Sequence, residues 1–248
     1  NTLFGDLSSA MQVPVPKLTK TEPWTLTELL EHEKDVTGMF MSGHPLDHFK
    51  FELRYYGITN IADFNEIKET LQLQPNPGRA IKVAGLIIDV QHRVTKTGKN
   101  FGSFAIEDFT GKTDFILWSE DYVKFQNYLE VGQKVCINGS FRNRFNQPNN
   151  FEFKLQTMSL LETVKQMQTR TVELSLHPAN LRADMIEFFE KNIKANPGRT
   201  SLKITFVEPR EQLAASLLTI DKGFLVNDDF VQFLDLNPEL NVQVKLAN

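Results

Sequence analysis

Residues 81–90 read IKVAGLIIDV, 101–108 FGSFAIED, 113–118 TDFILW, 134–141 KVCINGSF and 151–157 FEFKLQT. Between the third and fourth of these runs lies SEDYVKFQNYL, residues 119–129, whose pattern is helical. Apolar residues that alternate over four to eight positions predict strands with one buried face. The stretch therefore predicts three strands, a short helix, and two more strands. On the alternation, Phe104, Ile106, Phe115 and Leu117 fall to the core side. Gly85 and Gly139 suit the bulges or tight bends that a small barrel needs to close.

Five strands with a helix after the third is the order of an OB-fold, a Greek-key barrel whose face and loops bind single strands. Its boundaries are set at residues 79–160. In that architecture the first and last hairpin loops flank the ligand face. Here those loops are VTKTGKN, with Lys96 and Lys99, and RNRFNQPNN, with Arg142, Arg144 and Phe145. Of 26 aromatic residues, 12 lie in this region. That density matters because exposed rings stack on unpaired bases for about 1–3 kcal/mol each. Trp118, Phe141, Phe145 and Phe151 are the stacking candidates. Each competes with a plain core role. Lys96 and Lys99 compete with a solvated hairpin tip.

On either side the pattern changes. Residues 1–78 predict a small helical region. Its first helix starts after Thr25 and is expected to end near Ser42-Gly43, before Pro45. Leu46 to Tyr56 reads as a second helix, and ITNIADFNEI as a third short element. QPNPG, residues 74–78, marks the boundary. Residues 170–248 predict β-α-β-β-α-β, the ferredoxin-like order. The whole is an α+β, multi-domain chain.

Composition excludes several functions. No apolar run approaches the ~20 residues of a membrane span, so no membrane is expected among the partners. The first residues lack the basic and apolar regions of a signal peptide. Cys136 is the only cysteine, so neither a disulfide framework nor a cysteine metal site is expected; a cytoplasmic location fits. His44 and His48 are four apart, but Pro45 stands between them and no carboxylate completes a metal set. Gly111-Lys112-Thr113 echoes the end of a phosphate-binding loop, yet Ile106 stands where that loop requires glycine. No catalytic residue, metal or cofactor is predicted. Net charge is −4. Residues 79–160 carry eleven Lys plus Arg against eight Asp plus Glu. That local excess of +3 favours phosphate, because charge acts over roughly a Debye length, ~8 Å at physiological salt.

The segment EKDVTGMFMSGHPLDHF, residues 33–49, resembles a signature of the bacterial DNA polymerase III alpha subunit. So do Ala84-Gly85, Thr95-Lys96-Thr97-Gly98 and Asp108-Phe109-Thr110-Gly111 in the barrel. Asn1-Thr2-Leu3-Phe4 resembles the end of that family's clamp-binding pentapeptide, without its opening glutamine. The resemblance implies Leu3 and Phe4 as anchors on the sliding clamp. It implies a barrel that holds single-stranded template DNA, and a last domain that binds the clamp-loader tau subunit. It also implies a catalytic region upstream, with an Asp-x-Asp pair and magnesium ions. No two aspartates here stand two positions apart, so this stretch is expected to be a C-terminal fragment with no polymerase activity. Two rival readings remain open. One is an anticodon-binding type of nucleic-acid module, and the other is a scaffold that binds only protein.

Overall fold

The computed structural model describes residues 23–24, 26–38, 40–71, 78–144, 147–208, 213–218 and 223–247. Residues up to His44 form one unit, and Pro45 to Asn248 form another. Leu3 and Phe4, expected as clamp anchors, together with Thr25 and the loop residue Phe145, lie outside the described residues. Among the described residues no helix is long and apolar enough to cross a membrane.

In the first unit, helix α1 spans Leu26–Thr37. It ends earlier than the expected Ser42-Gly43. Gly38 adopts φ +80° and its N–H donates to the Lys34 carbonyl at 2.8 Å. That left-handed turn closes the helix where a residue with Cβ would be strained. Glu33 then ties down the segment beyond. Its Oε2 accepts from the Met41 and Ser42 amides, each at 2.9 Å, and its Oε1 accepts from Ser42 Oγ at 2.8 Å. These bonds, the Ser42 amide foremost, hold its carboxyl below the usual glutamate range.

The second unit opens with a 3-10 turn, Asp47–Phe49, and helix α2, Lys50–Tyr55. The single helix expected from Leu46 to Tyr56 is thus two short pieces. Strand β1, Ile58–Thr59, pairs parallel with Lys82 and Val83. Helix α3, Ile61–Thr70, is capped by Asn60, whose side-chain oxygen accepts from the Asp63 amide at 2.8 Å.

The barrel strands are β2 Ala80–Val94, β3 Asn100–Glu107 and β4 Lys112–Trp118. Helix α4, Ser119–Phe125, follows, then β5 Lys134–Arg144 and β6 Gln147–Leu160. The sheet order is β4-β3-β2-β5-β6, every neighbour antiparallel. This is the five-stranded barrel expected. Phe104, Ile106, Phe115 and Leu117 are buried, as the alternation requires. Phe64 of α3 closes one end, stacked on Phe141 with ring centroids 5.4 Å apart. Gly139 sits at a register shift. A Cβ there would stand 2.4 Å from the Lys154 carbonyl oxygen.

Asp108 links barrel and helix. Its Oδ1 accepts from the Thr110 and Gly111 amides at 2.7 and 3.1 Å, fixing the turn from β3 to β4. Its Oδ2 accepts from the Ile61 amide at 2.8 Å, at the start of α3.

Helix α5, Leu161–Gln168, leads into the last domain. Its elements are β7 Thr169–Leu176, α6 Ala183–Ala195, β8 Pro197–Gly198 and β9 Ser201–Glu208. Then come β10 Leu213–Leu218, β11 Gly223–Phe224, α7 Asp228–Leu236 and β12 Asn241–Leu246. The main sheet runs β10-β9-β7-β12, with β8 and β11 a separate pair. The β-α-β-β-α-β order of long elements is the one predicted. The sheet corrects one detail. A ferredoxin-like sheet splits its parallel strands, whereas β7 and β9 are direct parallel neighbours.

The core of this last domain draws on distant residues. Leu46, Phe51 and Tyr56, from before the barrel, pack with Val172, Leu174 and Phe189. Ala84 and Cys136 of the barrel join them. Tyr56 Oη bonds to Thr169 Oγ1. Lys82 Nζ donates to the Tyr56 carbonyl at 3.2 Å and to Gln168 Oε1 at 3.1 Å. Burial pushes the Cys136 thiol up to about 11, so it stays protonated as a small apolar group.

Candidate nucleic-acid interface

Strand alternation sorts β2, β3 and β4 into a core side and an outer side. The outer side carries cross-strand rows. Arg93 pairs with Phe101, and Phe101 with Trp118. Beside this row, Gln91 pairs with Ser103, and Ser103 with Ile116. The Phe101 and Trp118 rings stack with centroids 4.9 Å apart and planes at 17°. Trp118 is 42 % exposed and Ile116 53 %. An exposed, preformed stack beside a guanidinium offers a flat π-surface next to a positive charge. Unpaired bases and their phosphates fit that pair of features.

The hairpin tip continues from this row. The Thr95 amide donates to the Lys99 carbonyl at 2.8 Å, and the Gly98 amide to the Thr95 carbonyl at 2.9 Å. The Lys99 amide also donates to Thr95 Oγ1 at 2.9 Å. Gly98 takes φ +77°, which explains glycine in the Thr-Lys-x-Gly motif. Lys96 and Lys99 are both exposed on this fixed turn. With Arg93 they place three cations along one edge of the aromatic face.

The other predicted residues divide. Arg142 is exposed, opposite Glu152 in register. The backbone of Arg144 pairs with Gln147; its side chain lies outside what is described, as does all of Phe145. Phe151 is half-buried and lines the seam between β4 and β6 together with Trp118. Phe141 requires a correction. It is 3 % exposed, enclosed by Phe64 and Phe153, and its ring is core with no face open to a base. His92, on β2, bonds through Nδ1 to Tyr122 Oη at 2.9 Å.

Two residues of the face escaped the sequence reading, Arg93 and Phe101. A signal for Phe101 existed. It stands three positions from the buried Phe104, hence on the opposite side of the strand. Among the described residues no three His, Cys, Asp or Glu side chains gather as a metal site.

Residues 81–161 match the family model of the OB-fold nucleic acid binding domain of the tRNA anti-codon type. Residues 171–245 match that of the DNA polymerase III alpha subunit, C-terminal domain. Curated relatives span both. The DNA polymerase III subunit alpha of Pseudomonas aeruginosa is 23 % identical over 235 residues, 94 % of this chain and 19 % of its own length. Over most of its length the chain is similar to the DNA polymerase III alpha subunit. The Vibrio cholerae member is 28 % identical over 137 residues, 55 % of this chain and 11 % of its own. This chain spans 17 % and 19 % of the length of two Pseudomonas members. Among solved structures, the mitochondrial single-stranded DNA binding protein of S. cerevisiae is 13 % identical, at TM-score 0.25. It covers 34 % of this chain and 93 % of its own. In this chain the motif residues quoted above have visible work. Asp108 and Gly111 shape a turn, Thr95 and Gly98 fix a hairpin, and Glu33 holds Ser42.

Proposed function

We propose that this chain is the part of a replicative polymerase that holds single-stranded DNA and links the enzyme to its partners during replication. The observation that carries the reading is the Arg93–Phe101–Trp118 row, an exposed aromatic stack flanked by cations. Bases stack on Phe101 and Trp118. Phosphates lie along Arg93, Lys96 and Lys99, with Arg142 at the far loop. The similarity to DNA polymerase III alpha subunits supports DNA as the ligand. Leu3 and Phe4 would engage the sliding clamp, and the last domain the clamp-loader tau subunit. Nucleotide transfer with magnesium belongs to the longer polypeptide in the cytoplasm; this stretch binds and organises.

The test is fluorescence anisotropy of a labelled oligo-dT with the 248-residue chain at 50 and 200 mM salt. A quadruple Lys96/Lys99/Arg142/Arg144→Ala variant runs beside it. Binding that weakens with salt and is lost in the variant supports the reading. Absence of binding at low salt would leave the chain a protein scaffold.

A further inference from the structure

Strands β4 and β6 are the two ends of the barrel's sheet order, so the barrel carries a seam where they face each other. The seam holds a cleft of about 190 Å³. Phe151 and Phe153 line it, with the buried Phe115 at its floor, and Trp118 stands at its lip on the stacking face. An apolar cavity of roughly 150 Å³ accommodates a benzene ring. The seam therefore has room for a six-membered ring and its exocyclic groups.

Its polar lining is selective. Asp121 and Lys154 are paired with each other. Asp114, Glu152 and Lys68 also line the cleft, and Asp114 is exposed on the outer side of β4. A carboxylate on a nucleic-acid face repels phosphate, so its favourable contact is with an amino group on a base. Carboxylates accept from the cytosine 4-amino group, while thymine presents a carbonyl acceptor at that position. Lys68 can donate to a ring carbonyl oxygen. Carboxylate acceptors with one ammonium donor, in an aromatic slot of this size, match cytosine better than thymine.

We infer that the seam between β4 and β6 is a pocket for one unpaired pyrimidine, with Asp114 selecting cytosine over thymine. It rests on the reading of the outer face as a single-strand platform. A strand stacked on Phe101 and Trp118 would turn one base over the lip of Trp118 into the seam.

The test measures anisotropy of labelled oligo-dC and oligo-dT 15-mers at pH 7.5 with the whole chain, its Asp114→Asn variant and its Phe101→Ala variant. All these positions lie on the barrel's outer side, and circular dichroism checks the fold of each variant. The expected result is oligo-dC bound about fivefold more tightly than oligo-dT, from one base contact at the low end of the usual range. The Asp114→Asn variant should lose that preference, because an amide can turn either a donor or an acceptor to the base, and should bind oligo-dT at least as well as before. The Phe101→Ala variant should weaken both oligonucleotides equally. Equal binding of the two by the parent chain, or a preference that survives in the Asn variant, overturns the pocket while the platform stands. Failure of either oligonucleotide to bind the parent chain removes the platform, and the pocket with it.

Discussion

The rings of Phe101 and Trp118 lie stacked across neighbouring strands, 4.9 Å between centroids, on the open side of the barrel. Such a pair is worth about 0.5–1.5 kcal/mol beyond its buried area. Its larger consequence is that the platform is already assembled before any base arrives. Phe101→Ala should therefore weaken oligo-dT binding by about 1–3 kcal/mol and leave its salt dependence unchanged. Anisotropy titrations at several salt concentrations test both halves. An altered salt slope would mean that the ring acts through the charges and not by stacking.

The lysines should behave in the opposite way. Each phosphate neutralised contributes about −0.7 to the slope of log affinity against log salt for single strands. Replacing Lys96 and Lys99 with alanine should flatten that slope by about 1.4. The hairpin is fixed by Thr95 and Gly98, so its shape should persist, as amide chemical shifts outside the tip would show.

Phe141 and Phe64 belong to stability and not to binding. Removing a fully buried phenylalanine costs about 3–5 kcal/mol. Urea unfolding of Phe141→Ala should show a loss of that order. Below the transition its affinity for oligo-dT should match the parent. Reduced affinity in the fully folded variant would return Phe141 to the interface.

Asp108 accepts three amide hydrogens, and hydrogen bonds to a charged group contribute about 1.5–3 kcal/mol. Asp108→Ala also leaves the buried Ile61 amide unpaired, so a loss of about 3 kcal/mol is expected. Hydrogen exchange should quicken at Ile61, Thr110 and Gly111 together. Faster exchange at only one of the three would break the claim that one carboxylate holds both segments.

Glu52 predicts a pH effect. Burial raises its pKa above the usual range, outweighing Lys165, whose Nζ lies 3.9 Å away. Its second oxygen has no hydrogen-bond partner. The folded state therefore holds its proton more tightly than the unfolded state. The resulting stability is full below the ordinary glutamate pKa and is lost as pH rises through the raised value. Glu52→Gln should match the parent at pH 4 and be more stable at pH 7.5. Lys165 keeps Asp228 at 2.8 Å in either case. Urea midpoints at the two pH values decide it, and a less stable variant at pH 7.5 would show that the Lys165 pairing outweighs burial.

The barrel was legible because its pattern is local. Phe104, Ile106, Phe115 and Leu117 alternate with polar neighbours, and that alternation alone assigns them to the core. The same rule, carried from Val135 and Ile137 along β5, places Phe141 inside, so its assignment to the interface went against a readable signal. The end of α1 was not readable. Gly38 and Gly43 both qualify as terminators, and the choice depends on where Glu33 reaches. The neighbour order of the last sheet was not readable either, since one element order is compatible with β9 either beside β7 or one strand away. The Arg93–Phe101–Trp118 row needed three strands in register, which no single stretch of sequence displays.

Strand β2 lies under the stacking face at one end and in the packing of the last domain at the other. Ala84 sits in that domain's core, and Lys82 is bonded to the Tyr56 carbonyl and to Gln168. The two halves are therefore not beads on a string. Tension applied at the far end would travel along that strand to the Arg93–Phe101–Trp118 row. A displacement at Lys82 would be felt at Arg93, past the register shift between Ile87 and Asp89.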